Sequence, residues 1–103
     1  MIAETPKPPY YAVIFTNTRT NVDNGYYKTA ELMEELAKDQ PGYLGLESAR
    51  EEVGITISYW KDLESIRAWK ANAKHKAAQE IGKKEWYKSY KTRIALVERD
   101  YEF

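Results

Sequence analysis

The chain has 103 residues, room for a single hydrophobic core. Its 43% hydrophobic and 31% charged residues are an ordinary globular composition, and sixteen basic against sixteen acidic side chains leave no net charge, which argues against a wholesale polyanion binder. There is no cysteine and one histidine, so disulfides, thiolate metal sites, cysteine nucleophiles and any site needing two histidines are excluded.

Residues 1–9 (MIAETPKPP), with prolines at 6, 8 and 9, read as a flexible extended arm. They hold no apolar stretch of signal-peptide type, and no run in the chain approaches the roughly 20 apolar residues of a membrane span. A cytoplasmic protein with no membrane partner is therefore expected. Residues 10–103 form one domain.

Tyr10 to Thr18 (YYAVIFTNT) is β-branched and aromatic, with Tyr11, Val13 and Phe15 alternating against Ala12, Ile14 and Thr16. Both sets are largely apolar, which predicts a strand covered on both faces. From Gly25 to Gln40 the apolar spacing turns helical through Tyr26, Ala30, Met33, Leu36 and Ala37. Asp23 or Asn24 is placed to cap its start, and Pro41-Gly42 to stop it. Tyr43 to Arg50 and Ile55 to Trp60 read as short strands joined by a hairpin turn at Glu51 to Gly54. Asp62 caps a second helical region, and Lys91 to Tyr101 closes the chain as a strand.

The resulting order, β-α-β-β-α-β, is the α+β, ferredoxin-like split arrangement with an antiparallel sheet. Helices cover one face of such a sheet. The apolar second face predicts a partner, most simply a second copy packed sheet to sheet in a homodimer.

Residues 62–90 carry two stripes. On one continuous helix Leu63, Ile66, Trp69, Ala73, Ala77 and Ile81 share a face, and His75, Gln79, Gly82 and Trp86 fall roughly opposite. A tryptophan on the polar side predicts an interruption near Ala71 to Ala73 or at Gly82, which would let His75 turn inward. Without the interruption His75 lies in solvent. Its lysine neighbours, Lys74 and Lys76, favour the neutral imidazole.

Charge is unevenly placed: residues 1–60 hold five basic and nine acidic groups, residues 61–103 eleven and seven. Arg67 to Arg93 combines nine basic residues with Trp69, Trp86, Tyr87 and Tyr90. A solvated helix face or the rim of a site for an anionic small molecule accounts for this better than nucleic acid, for which no motif is present. The five glycines match no phosphate-binding fingerprint, and no metal-ligand spacing exists. The nine tyrosines and three tryptophans, whose polar ends want partners, suit a pocket or an interface.

The segments YYAVIFTNTRT, PGYLGLESARE and ITISYWKDLESIRAWKANAKHKAAQ, with the closing strand, resemble the antibiotic biosynthesis monooxygenase family over about residues 10–101. The resemblance implies a dimeric α+β barrel with a pocket between sheet and helices. Some such proteins are monooxygenases without cofactor or metal that oxidise phenols or quinols. An electron-rich phenolate passes an electron to oxygen directly, and the protein holds the phenol, stabilises its anion and excludes water. On that likeness Asn72 and His75 would orient or deprotonate a hydroxyl, and Trp69 and Trp60 would flank the ring, with Asn17 on the sheet side. Haem-degrading relatives place their histidine nearer the position of Gln79, which ranks haem lower. A ligand-binding homodimer without turnover is the competing reading.

Overall fold

A computed structural model describes residues 2–103. The elements run β1 (Tyr10–Arg19), α1 (Tyr26–Lys38), β2 (Tyr43–Arg50), β3 (Gly54–Trp60), α2 (Leu63–Ala71), α3 (Ala73–Ile81), a π-helical turn (Gly82–Trp86) and β4 (Tyr87–Val97). The four strands form one antiparallel sheet in the order β2-β3-β1-β4. This is the α+β, ferredoxin-like architecture that the element order predicts. Among the described residues no helix is long and apolar enough to cross a membrane.

Alternation along β1 sends Tyr11, Val13, Phe15 and Asn17 to the helical side and Tyr10, Ala12, Ile14 and Thr16 to the other. The core lies between sheet and helices, where buried Ala37, Trp60, Ile66 and Trp69 meet Tyr11, Val13, Met33, Leu36 and Tyr43. Trp60 is its centre and is 0% exposed. Its indole N–H donates to Ser58 Oγ at 2.8 Å. Tyr43 meets it edge-on at 5.7 Å and Trp69 stacks on it at 6.2 Å.

The opposite face is partly covered by the chain's own ends. The Ala3 N–H donates to Glu47 Oε2 (2.9 Å) and the Thr5 hydroxyl to the Tyr10 oxygen (2.9 Å). Tyr10 then donates to Asp100 Oδ2 (2.7 Å), and Tyr59 to Glu47 Oε1 (2.6 Å). Tyr10 and Ala12 are thereby buried, whereas Ile55, on the same face near the far end of the sheet, is 41% exposed.

Two boundaries differ from expectation. Helix α1 is capped by Gly25 in the left-handed region (φ 77°), with no side-chain cap, rather than by Asp23 or Asn24. Asp23 instead lies 4.0 Å from Arg19, and the Asn24 carbonyl accepts from the Trp86 indole at 3.2 Å. Strand β4 begins at Tyr87 and ends at Val97, four residues earlier at each end than Lys91 to Tyr101. Tyr10, the first residue of β1, pairs with Val97, so the ladder has no rung to offer beyond it.

The turn after α1 depends on Gly42 (φ 85°), where a Cβ would also run into the Ser65 side chain. Gly42→Ala is expected to cost about 2 kcal/mol, combining left-handed strain with that collision. At Gly25, where the φ is 77° but no atom lies within 4 Å of the added carbon, only the strain applies. Urea denaturation of the two variants should separate them in that order.

Candidate active site

The site is built where the second helical region breaks. Helix α2 ends at Ala71, and Asn72 leaves helical geometry (φ −58°, ψ 128°). Its Oδ1 accepts the N–H groups of Lys74 (3.0 Å) and His75 (3.2 Å), capping α3. The break falls within the stretch where the misplaced tryptophan predicted one. The Trp69 carbonyl accepts the Asn72 N–H at 3.1 Å, and His75 Nδ1 lies 3.0 Å from the same oxygen.

A carbonyl only accepts, so Nδ1 carries the proton and Nε2 keeps its lone pair. The imidazole lies flat on the Trp69 indole, with centroids 4.3 Å apart and planes 14° from parallel. Burial lowers the His75 pKa from its ordinary value; the Trp69 carbonyl opposes this and Lys70 adds to it. The ring is neutral at physiological pH.

His75 and Trp69 line a cavity of about 530 Å³ between the sheet and the helices. Val13, Phe15, Thr56 and Ser58 form its floor. Gln79 follows His75 by one helical turn on the same wall, and Tyr87 and Tyr90 line it from β4. The volume is that of an ordinary small-molecule site. Three lysines, Lys70, Lys83 and Lys91, also border it, against the single carboxylate of Glu34.

Past the break the inward face of the second helical region changes. Ile66 and Trp69 face the core as expected, but on α3 the residues lining the cavity are His75, Ala78 and Gln79, while Ala77 and Ile81 are exposed. The π-helical turn then carries Trp86 inward, where it is 4% exposed. A π turn inserts an extra residue relative to 3.6-residue periodicity, which moves later side chains round the axis. Tyr87 follows it. Burial, helped by the adjoining Tyr26 hydroxyl, raises its pKa above that of a free phenol, so it is present as a neutral phenol.

The other three residues singled out from sequence sit outside the cavity lining. Trp60 lies behind Trp69, wholly within the core. The Asn72 carboxamide oxygen is engaged by the two N–H groups of α3. Asn17, 3% exposed, lies on the last rung that β1 shares with β3, where its oxygen accepts from the Arg50 guanidinium. Gln79, Tyr87 and Phe15 escaped the sequence reading as site residues. The signal for Gln79 and Tyr87 was Trp86 on the wrong face of an assumed continuous helix, and for Phe15 the alternation along β1.

The split α+β sheet and its helices thus enclose an aromatic-lined cavity into which a neutral histidine is turned. Residues 27–81 match the family model described as antibiotic biosynthesis monooxygenase. The chain is 50% identical over 100 residues to the uncharacterized protein YqjZ of Bacillus subtilis (strain 168), covering 95% of this chain and 88% of that one. It superimposes on SnoaB, a cofactor-independent oxygenase from Streptomyces nogalater, with TM-score 0.76, 11% identity and coverage of 90% and 97%. Protein SO0527 from Shewanella oneidensis matches with TM-score 0.78, 6% identity and coverage of 96% and 100%. These two structures share its fold. The chain belongs to the antibiotic biosynthesis monooxygenase family.

Proposed function

We propose that this protein is a cofactor-free, oxygen-dependent monooxygenase acting on a small aromatic phenol or quinol. The observation that carries the proposal is His75, turned into the cavity, stacked on Trp69 and held neutral with Nδ1 occupied. In this reading Nε2 takes the phenol proton. The phenolate transfers one electron to oxygen, the resulting radical pair combines to a ring peroxide anion, and the proton held on Nε2 returns to it to give the hydroperoxide. Loss of water leaves a quinone, so one oxygen atom enters the product and the other departs as water. The apolar side chains of Val13, Phe15, Trp69 and Trp86 shield the intermediate from water on their side of the cavity.

The active form is a homodimer in this reading, with the partner's sheet covering the part of the open face that the chain's own ends leave bare, around Ile55. Sedimentation should then give twice the chain mass of 12.0 kDa.

An oxygen-electrode assay over a panel of phenols and hydroquinones tests the reaction. Protein-dependent uptake, insensitive to chelators and with one O₂ consumed per quinone formed, is the expected result. No uptake across the panel, with ligands nevertheless binding in the cavity, would replace the enzyme by a ligand-binding dimer. A haem titration run beside it, giving a Soret shift that His75→Ala abolishes, would overturn the cofactor-free reading.

A further inference from the structure

At the other end of the sheet two arginines converge where the proposed chemistry has no use for them. Asn17, Gly54 and Arg50 lie on one rung of the ladder across β1, β3 and β2. The Arg50 side chain crosses over Gly54 to reach the Asn17 oxygen, and a Cβ at position 54 would strike its guanidinium. Arg19 arrives from the irregularity that ends β1. Its Cζ lies 3.4 Å from the centre of the Tyr26 ring and 5.9 Å from that of Tyr27, and the Arg50 Cζ is 6.0 Å from Tyr26. Two positive charges thus share one aromatic ring.

Their charge is poorly compensated. Among the described residues the only carboxylate within 4.0 Å of either guanidinium is that of Asp23, at 4.0 Å from Arg19. Asp23 is 68% exposed, whereas the Arg19 side chain is 14% exposed, so a hydrated carboxylate faces a largely desolvated cation. Arg19 uses Nε on the Trp86 carbonyl (3.1 Å) and one terminal nitrogen on the Val22 carbonyl (2.8 Å). Arg50 bonds only to Asn17. Most of the ten N–H groups of the two guanidiniums are therefore unspent, and a fork of such donors matches a carboxylate or phosphate.

Both arginines line a cleft of about 390 Å³, separate from the cavity of His75 and divided from it by Tyr26. Three carboxylates, Asp23, Glu51 and Glu52, also border the cleft; all three are exposed, and only Asp23 comes within ion-pair distance of a guanidinium, at 4.0 Å from Arg19. The ring of Tyr27, 65% exposed, forms an aromatic side. We propose that this cleft binds an organic oxyanion, a carboxylate or phosphate monoester on a flat ring, with Arg19 and Arg50 taking the oxygens and Tyr27 the ring.

The test is titration of the intact protein with benzoate, phenyl phosphate and inorganic phosphate at constant ionic strength, followed by arginine Nε–H and backbone NMR shifts. Benzoate or phenyl phosphate is expected to move the Arg19 and Arg50 signals, binding at least tenfold more tightly than inorganic phosphate. Arg50→Gln should weaken this binding at least tenfold. Gly54→Ala, which keeps both arginines but displaces the Arg50 guanidinium from its rung, should weaken it comparably while thermal unfolding confirms a folded chain. Shifts confined to the lysines around the His75 cavity, or binding unchanged in both variants, would overturn the proposal. Equal binding of all three anions would overturn its organic part. None of these readings requires turnover, so they stand apart from the oxygen assay.

Discussion

Trp60→Ala should destabilise the protein by about 3–5 kcal/mol, the range for deleting a large buried aromatic. Trp60 is wholly buried, and its indole is the common wall for Tyr43 and Trp69. Removing it leaves a void that neither neighbour fills without moving, and it strips the Ser58 hydroxyl of its indole donor. Domains of this size have only about 5–15 kcal/mol in total, so the variant would lie near the edge of folding. Each kcal/mol corresponds to roughly 4–8 °C in Tm, so the loss should exceed about 12 °C. An unfolding midpoint close to wild type would mean that the core is not centred on this residue. The cavity would also suffer, because Trp69 is held from behind by Trp60 and carries His75 on its other face.

The second large effect separates chemistry from packing. His75→Phe keeps a flat ring to stack on Trp69 but has no nitrogen to accept a proton. If His75 is the general base, turnover should fall by about 10²–10⁴ while the chain stays folded. The acid limb of the wild-type pH profile should lie below the ordinary histidine value of 6.5, because burial depresses the His75 pKa, and it should vanish in the variant. Stability follows the same group. Between the lowered folded value and 6.5 the unfolded chain holds more protons than the folded one. Stability therefore rises with pH across that window and is fully present above it. Denaturant titrations should show this acid-side loss in wild type and not in His75→Phe. A variant that retains both full turnover and the acid limb would remove His75 from the mechanism.

Particular residues show how far sequence could reach. The strand pattern Tyr10 to Thr18, the hairpin turn after Arg50 and the Asp62 cap are local signals: the strand runs one residue further, to Arg19, the turn closes at Val53 because Gly54 already belongs to β3, and the Ser65 N–H donates to Asp62 Oδ1 at 2.7 Å. The tryptophan on the wrong stripe signalled a break that exists at Asn72, with a second irregularity at Gly82. What periodicity could not supply was direction after the break. Once Asn72 restarts the helix and the π turn inserts its extra residue, assigning faces by counting from Leu63 fails. The Asn17–Arg50 pairing was hidden for another reason. It spans 33 residues and depends on the missing side chain of Gly54, a relation that only strand register reveals.

The Tyr10 hydroxyl has a consequence for chain topology. It accepts from Thr5 and donates to Asp100, so the segment before β1 and the segment after β4 meet on one oxygen atom. A short linker joining the segment at Asp100 to that at Thr5 would connect parts of the chain that are already neighbours, and the exposed turn at Glu51 to Val53 offers a place to open new termini. The fold is thus suited to circular permutation. The rearranged chain would begin in the β2–β3 hairpin and keep the His75 cavity, which draws on neither end, intact.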